Sequence, residues 1–226
     1  MKVALIPARM GSQRLPKKNL RELNGVPLIV HAIRKCQAAG CFDEIWVNSE
    51  DSEFRHIAAR EGVHFHHRPE DLGSDTATSE EYVTEFLLKK QCEYVFQVHS
   101  IAPLLTTASV VQFVRAMEKE SCDTLLSVED IQIECMYGGA PVNFTFERKT
   151  NSQDLEPVRR VSWSITGWRR ETFLDAVDSG QCATYSGTVR LYGVNPLAAH
   201  VIKTELDLQV AEALLPLVDR YDFGTN

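Results

Sequence analysis

With 226 residues and 44% hydrophobic content, the chain has enough apolar material for one domain with a full core and too little for a second large one. A net charge of -7 argues against a nucleic-acid partner, which would require a basic surface. No apolar run approaches a membrane span, and Met1 leads directly into a strand rather than a charged and then apolar leader, so a cytoplasmic protein without a membrane partner is expected.

In chain order, the apolar run Val3 to Ala8 predicts a buried parallel strand. The segment from Arg9 to Asn19 then sets Gly11, Ser12 and Pro16 among Arg9, Arg14, Lys17 and Lys18. Such a loop suits a polyanion: glycine lets backbone amides approach, Ser12 offers a hydroxyl, and the cations form charge-assisted bonds. It has neither the GxxxxGK[ST] nor the GxGxxG spacing, and a solvated basic turn is its plainest structural explanation. Helices are predicted over Leu28 to Ala39, Ser79 to Lys90 and Ser109 to Lys119, with strands at EIWVN near Ile45, EYVFQV near Val95 and DTLLSV near Leu125. This βαβ order predicts an α/β fold with a three-layer, doubly wound, mainly parallel sheet. Ligands bind such sheets beyond the carboxyl ends of the strands, where the first loop, the Asn48 to Asp51 loop and the loop after Val98 should emerge together.

From Ile131 to Pro157 the pattern degrades. Gly138, Gly139 and Pro141 mark turns, and VNFTF alternates like an edge strand. The segment 131–157 reads as an inserted hairpin or arm on a single domain spanning 1–226. Its Ile133, Met136, Val142, Phe144 and Phe146 lack a neighbouring core and predict a homodimer interface. A last helix is predicted from Leu206 to Val218, ending before Arg220 to Asn226. Either Ser74 or Thr78 is expected to cap the helix that starts near Ser79. The six cysteines, Cys36, Cys41, Cys92, Cys122, Cys135 and Cys182, form no CxxC pair and are expected to be reduced and mostly buried. In HFHH, His64 and His66 share a strand face without a metal-ligand pattern, whereas His99 sits at the end of a central strand as a candidate ligand contact.

The segment IPARMGSQRLPKKN resembles the opening signature IPAR-x-GS-x-x-x-x-x-KN of the cytidylyltransferases that activate acidic sugars. RPEDLGSDTATS, from Arg68 to Ser79, is similar to that family's RPxxLAxDxAxS block, and SQDLEP and TELDLQVAEAL extend the resemblance over nearly the whole chain. The resemblance implies a Rossmann-like nucleotide-diphospho-sugar transferase fold, an arm exchanged across a dimer, and transfer of CMP from CTP to an acidic sugar with release of pyrophosphate. It further implies that Arg9 and Lys18 are the catalytic, phosphate-neutralising cations. Ala8, Gly11, Ser12, Asn19, Arg68, Asp75, Ala77, Thr78, Ser79 and Gln97 would hold the nucleotide, with the Arg68 to Ser79 block reading cytosine. His99, Ser100, Gln153 and Arg159 would face the acceptor, and Mg²⁺ would be the cofactor.

The chain departs from the family pattern where metal ligands stand. Ile101 occupies the loop in which some members carry an aspartate, and Val201 and Lys203 replace the two aspartates of an I-D-I-D-T stretch. Magnesium requires hard oxygen donors, so these changes leave its protein ligands unassigned. Lys203 could contact phosphate in the metal's place. Ser162 and Trp163 replace an N-G pair, which implies a reshaped sugar pocket. A nucleotide-binding protein that has lost transfer activity is the alternative to the enzyme.

Overall fold

The computed structural model describes residues 1–218. Strand β1 (Lys2–Pro7) is followed by a small hairpin of β2 (Glu22–Leu23) and β3 (Val26–Pro27), then by α1 (Leu28–Ala39), β4 (Glu44–Ser49), α2 (Glu53–Arg60) and β5 (His64–His67). Next come α3 (Ser79–Lys89), β6 (Tyr94–Val98), α4 (Thr107–Glu120) and β7 (Thr124–Ile131). A second small hairpin, β8 (Met136–Tyr137) with β9 (Ala140–Pro141), precedes β10 (Val158–Arg169), α5 (Arg170–Asp178), β11 (Val189–Gly193) and α6 (Glu205–Val218). The expectation for Arg220 to Asn226 lies outside the described residues.

Seven strands form one sheet in the order β11-β7-β10-β6-β1-β4-β5. All neighbours pair parallel except β10, which runs antiparallel to both β6 and β7. Alternation along β1 feeds two cores: Ala4 and Ile6 pack with α1, α2 and α4 on one face, and Val3 and Leu5 pack with Val83, Phe86 and Phe173 of α3 and α5 on the other. A third cluster joins Leu23 and Leu28 to Ile202, Leu208 and Ala211, seating α6 beside the first hairpin.

The helix ends follow local chemistry. At the end of α1, Gly40 takes a φ of +60 and its amide donates to Gln37 O at 3.2 Å, a left-handed cap that glycine adopts without strain. Thr78 and Glu81 form a reciprocal capping box at the start of α3, which settles the choice between Ser74 and Thr78. Among the described residues, no helix is long and apolar enough to cross a membrane.

Two expectations are corrected. VNFTF is not an edge strand: pairing stops at Pro141, and Asn143 spends its side chain on Ile133 O, Glu156 O and the Cys135 amide, folding the segment back on itself. Nor are the thiols mostly buried: all six are free, but only Cys36 and Cys122 are buried, and Cys182 is exposed.

Candidate functional site

At the carboxyl ends of β1 and β6 lies a cleft of about 250 Å³ lined by three segments, Pro7 to Asn19, Arg68 to Tyr82 and His99 to Ile101. Asn19 joins the first to the third. Its Nδ2 donates to Arg9 O at 2.9 Å while its Oδ1 accepts from Ser100 Oγ at 2.7 Å, so the two ends of the amide hold two walls together.

Beneath the cleft, Arg68 is 2% exposed. Its Nη1 donates to Asn48 Oδ1 at 3.1 Å, its Nη2 to Ala8 O at 3.0 Å and to Glu50 Oε2 at 2.8 Å, and its Nε to Glu50 Oε2 at 3.2 Å. The guanidinium also lies over the Tyr82 ring, 4.9 Å from its centroid. Glu50 reaches the cationic loop directly, accepting from the Met10 amide at 2.9 Å through Oε1. Gly73 makes room for this, because a Cβ there would fall 2.5 Å from Glu50 Cδ. Thus the Glu50–Arg68 pair ties the backbone of Ala8 and Met10 to the end of the sheet. An arginine so occupied is a strut before it is a base-reading group.

Across the mouth, Arg9 Nη1 pairs with Asp75 Oδ1 at 2.7 Å and donates to Ser74 O at 2.9 Å, while Gln13 also bonds Asp75. A polyanion entering the cleft would compete with Asp75 for Arg9. Lys18 is held below the ordinary lysine range, first by burial and then by the neighbouring charges of Arg14, Arg9 and Lys203. Burial, with a smaller contribution from Lys18, pushes His99 down to about 4, so its imidazole is neutral at physiological pH.

The cleft gathers Ala8, Arg9, Ser12, Lys18, Asn19, Arg68, Asp75, Ala77, Ser79, His99 and Ser100 from the residues expected in the site. Gly11, Thr78, Gln97, Gln153 and Arg159 are not among its lining residues. A Cβ at Gly11 would meet nothing within 4 Å, and Thr78 is engaged in its capping box. Gln97 is buried under Tyr82, donating to its hydroxyl at 2.5 Å. Gln153 is exposed on the arm, and Arg159 pairs with Asp130 at 3.3 Å. The Asn48 to Asp51 loop supports the cleft from behind through Glu50 instead of lining it. Sequence reasoning missed Tyr82 and Glu50. Tyr82 sits three residues into α3 from Ser79 and therefore near the same helix end, which was the available signal.

Among the described residues, no group of three or more His, Cys, Asp or Glu could hold a metal ion. The cleft carboxylate Asp75 is committed to Arg9, and Asp207 accepts from the Lys203 and Thr204 amides at 2.9 and 2.8 Å. This donor set does not fit a magnesium ion held by protein side chains.

A cytidylyltransferase family model matches residues 3–204. An N-acylneuraminate cytidylyltransferase from Oncorhynchus mykiss is 28% identical over 218 residues, covering 92% of this chain and 49% of the relative. One from Streptococcus agalactiae serotype V is 28% identical over 190 residues, covering 76% of this chain and 44% of the relative. The chain spans about half the length of such curated relatives, or less. In fold it resembles a CMP:2-keto-3-deoxy-manno-octonic acid synthetase solved with CTP, with a TM-score of 0.71 at 17% identity, covering 96% of this chain and 98% of that one. A 4-diphosphocytidyl-2C-methyl-D-erythritol synthase from Anaerococcus prevotii gives 0.70 at 13% identity, covering 95% and 98%.

Proposed function

The chain belongs to the cytidylyltransferase family, and from that premise we propose that it transfers CMP from CTP to an acidic sugar with release of pyrophosphate. The observation that carries this reading is one cleft in which Arg9, Ser12 and Lys18 of the first motif block face Asp75, Ala77 and Ser79 of the second. In the reaction, an acceptor hydroxyl oxygen forms a bond to the α-phosphorus, the bond from that phosphorus to the oxygen bridging toward the β-phosphorus breaks, and pyrophosphate leaves with the electron pair. Arg9 and Lys18 offset the charge that develops on the phosphates. The neutral imidazole of His99 is a candidate to receive the acceptor's proton, and the incoming triphosphate would raise its proton affinity. Magnesium has no assigned protein ligand in this reading and would enter only on the triphosphate. The expected result is CTP-dependent pyrophosphate release with at least one acid from a panel of nonulosonic acids, 3-deoxy-manno-octulosonate and simple hydroxy acids. Silence across the panel would overturn the reading. A role confined to nucleotide binding is not favoured, because the matched relatives are transferases by name.

We propose further that the protein is cytoplasmic and works as a homodimer joined through the 131–157 arm. Ile133, Met136, Tyr137, Val142 and Phe146 are between 54% and 84% exposed there, a concentration of apolar surface unusual for a free monomer. Gln153 and Arg159, which lie away from the cleft of their own chain, could then serve the partner's. Light scattering at micromolar concentration should give twice the chain mass, and Phe146→Asp should shift it toward the monomer. A monomeric wild type would remove the arm-exchange idea.

A further inference from the structure

On the β10 side of the cleft, Trp163 adopts a φ of +58, a conformation that a bulky side chain takes only under constraint. Val161 of β10 lies opposite Val128, yet Thr166 lies opposite Leu126, so the intervening residues bulge from the ladder. Serines anchor this bulge inward: Ser162 Oγ lies 2.8 Å from Ser127 Oγ, and Ser164 Oγ donates to Ala198 O at 2.5 Å. Trp163, between them, is only partly buried, and its ring centroid lies 6.4 Å from that of Tyr185, which is 53% exposed.

The residues beside both rings bond to the cleft walls. Ser164, next to Trp163, accepts the His99 amide at 3.2 Å. Thr184, next to Tyr185, donates its amide and hydroxyl to Glu80 at 2.8 and 2.9 Å, and Glu80 follows Ser79. His99 and Ser79 line the cleft and the two rings do not, so the pair is joined to two cleft walls through neighbouring residues. The strand order places the cationic loop after β1 and Arg68 after β5 on the other side. A nucleotide held there leaves the β6 and β10 side as the approach for an acceptor.

We propose that Trp163 and Tyr185 form an aromatic ledge that selects the acceptor, favouring an acidic sugar that turns C–H or acyl methyl groups toward the rings over one hydroxylated on that face. This inference rests on the transferase reading above. Aromatic faces contact apolar groups favourably, whereas hydroxyls pressed against them lose water without gaining a strong partner. A glycine would take the Trp163 backbone conformation freely, so the indole stands there against local preference.

The test compares wild type, Trp163→Gly and Trp163→Phe by pyrophosphate release, with N-acetylneuraminate and 3-deoxy-manno-octulosonate as acceptors. Wild type should favour the acylated acid. Trp163→Gly should raise the KM for that acid about tenfold, within the range expected for lost apolar contacts in a specificity pocket. The KM for CTP should not change, the melting temperature should not fall, and Trp163→Phe should recover most of the acceptor affinity. Equal acceptor KM values in wild type and Trp163→Gly, or a wild-type preference for the octulosonate, would overturn the ledge while leaving transfer intact. Weakened CTP binding in Trp163→Gly would also overturn it, by assigning the indole to the nucleotide. If wild type turns over no acid, the transferase reading fails first and the ledge falls with it.

Discussion

Replacing Glu50 with alanine is expected to cost the fold about 3–5 kcal/mol and to loosen the cationic loop, because it leaves the Arg68 guanidinium buried without its counter-charge. The size follows from burial: Arg68 is 2% exposed, and two of its hydrogen bonds end on Glu50. The same carboxylate holds the Met10 amide, so the loss reaches the loop that carries Arg9. Urea unfolding of Glu50→Ala measures the first effect and CTP titration the second. A double replacement, Glu50→Leu with Arg68→Met, separates them. Removing both charges should recover much of the stability, since a buried pair is often replaceable by apolar side chains, but Ala8 O and Met10 N would still lack their partners and CTP affinity should stay low. A loss below about 1 kcal/mol in the single variant would place the pair in the class of solvated surface bridges and remove it as a strut.

This pair also marks where the sequence stops being legible. The elements that build the cleft could be read because each signal is local. The apolar run of β1, the periodicity of Leu28 to Ala39 and the T-x-x-E capping box at Thr78 all depend on residues within one turn or one strand. The resemblance implies that Arg9, Lys18 and Asp75 share one site, and all three line one cleft. What each polar group does once there depends on partners distant in sequence. Arg68 reads as a ligand contact until Glu50, 18 residues earlier, is seen to occupy it. Asp75 reads as a nucleotide contact until Arg9 claims it across 66 positions. The arm misled for a related reason. Alternation in VNFTF implies a strand only where a neighbouring strand offers a ladder, and here the Asn143 side chain holds the chain in another path. Trp163 gave no sign of its left-handed backbone, because that conformation is imposed by the bulge and its serine anchors.

The second large effect concerns Lys18, where Lys18→Met should weaken CTP binding roughly 10- to 150-fold, the equivalent of about 1.5–3 kcal/mol for a lost charge-assisted contact. The same substitution should stabilise the protein without nucleotide. Burial and the nearby Arg14, Arg9 and Lys203 lower the Lys18 pKa in the folded state, so folding disfavours its charged form. That penalty is fully present below the folded pKa and is relieved as pH rises from there toward the ordinary lysine value of the unfolded chain. At neutral pH, Lys18→Met should therefore melt higher than wild type, and the gap should narrow as the solution is made alkaline. Binding reverses the balance, because a triphosphate sets negative charge against the crowded cations and raises the Lys18 pKa. Wild-type CTP affinity should accordingly fall as pH rises through the depressed value, with proton uptake on binding, and the methionine variant should show neither behaviour. Calorimetric titration in buffers of different ionisation enthalpy reads affinity and proton uptake together. Unchanged affinity in Lys18→Met would remove the lysine from the phosphate site, whereas higher stability with lost binding would identify it as a charge held against the fold's own preference for the sake of the ligand.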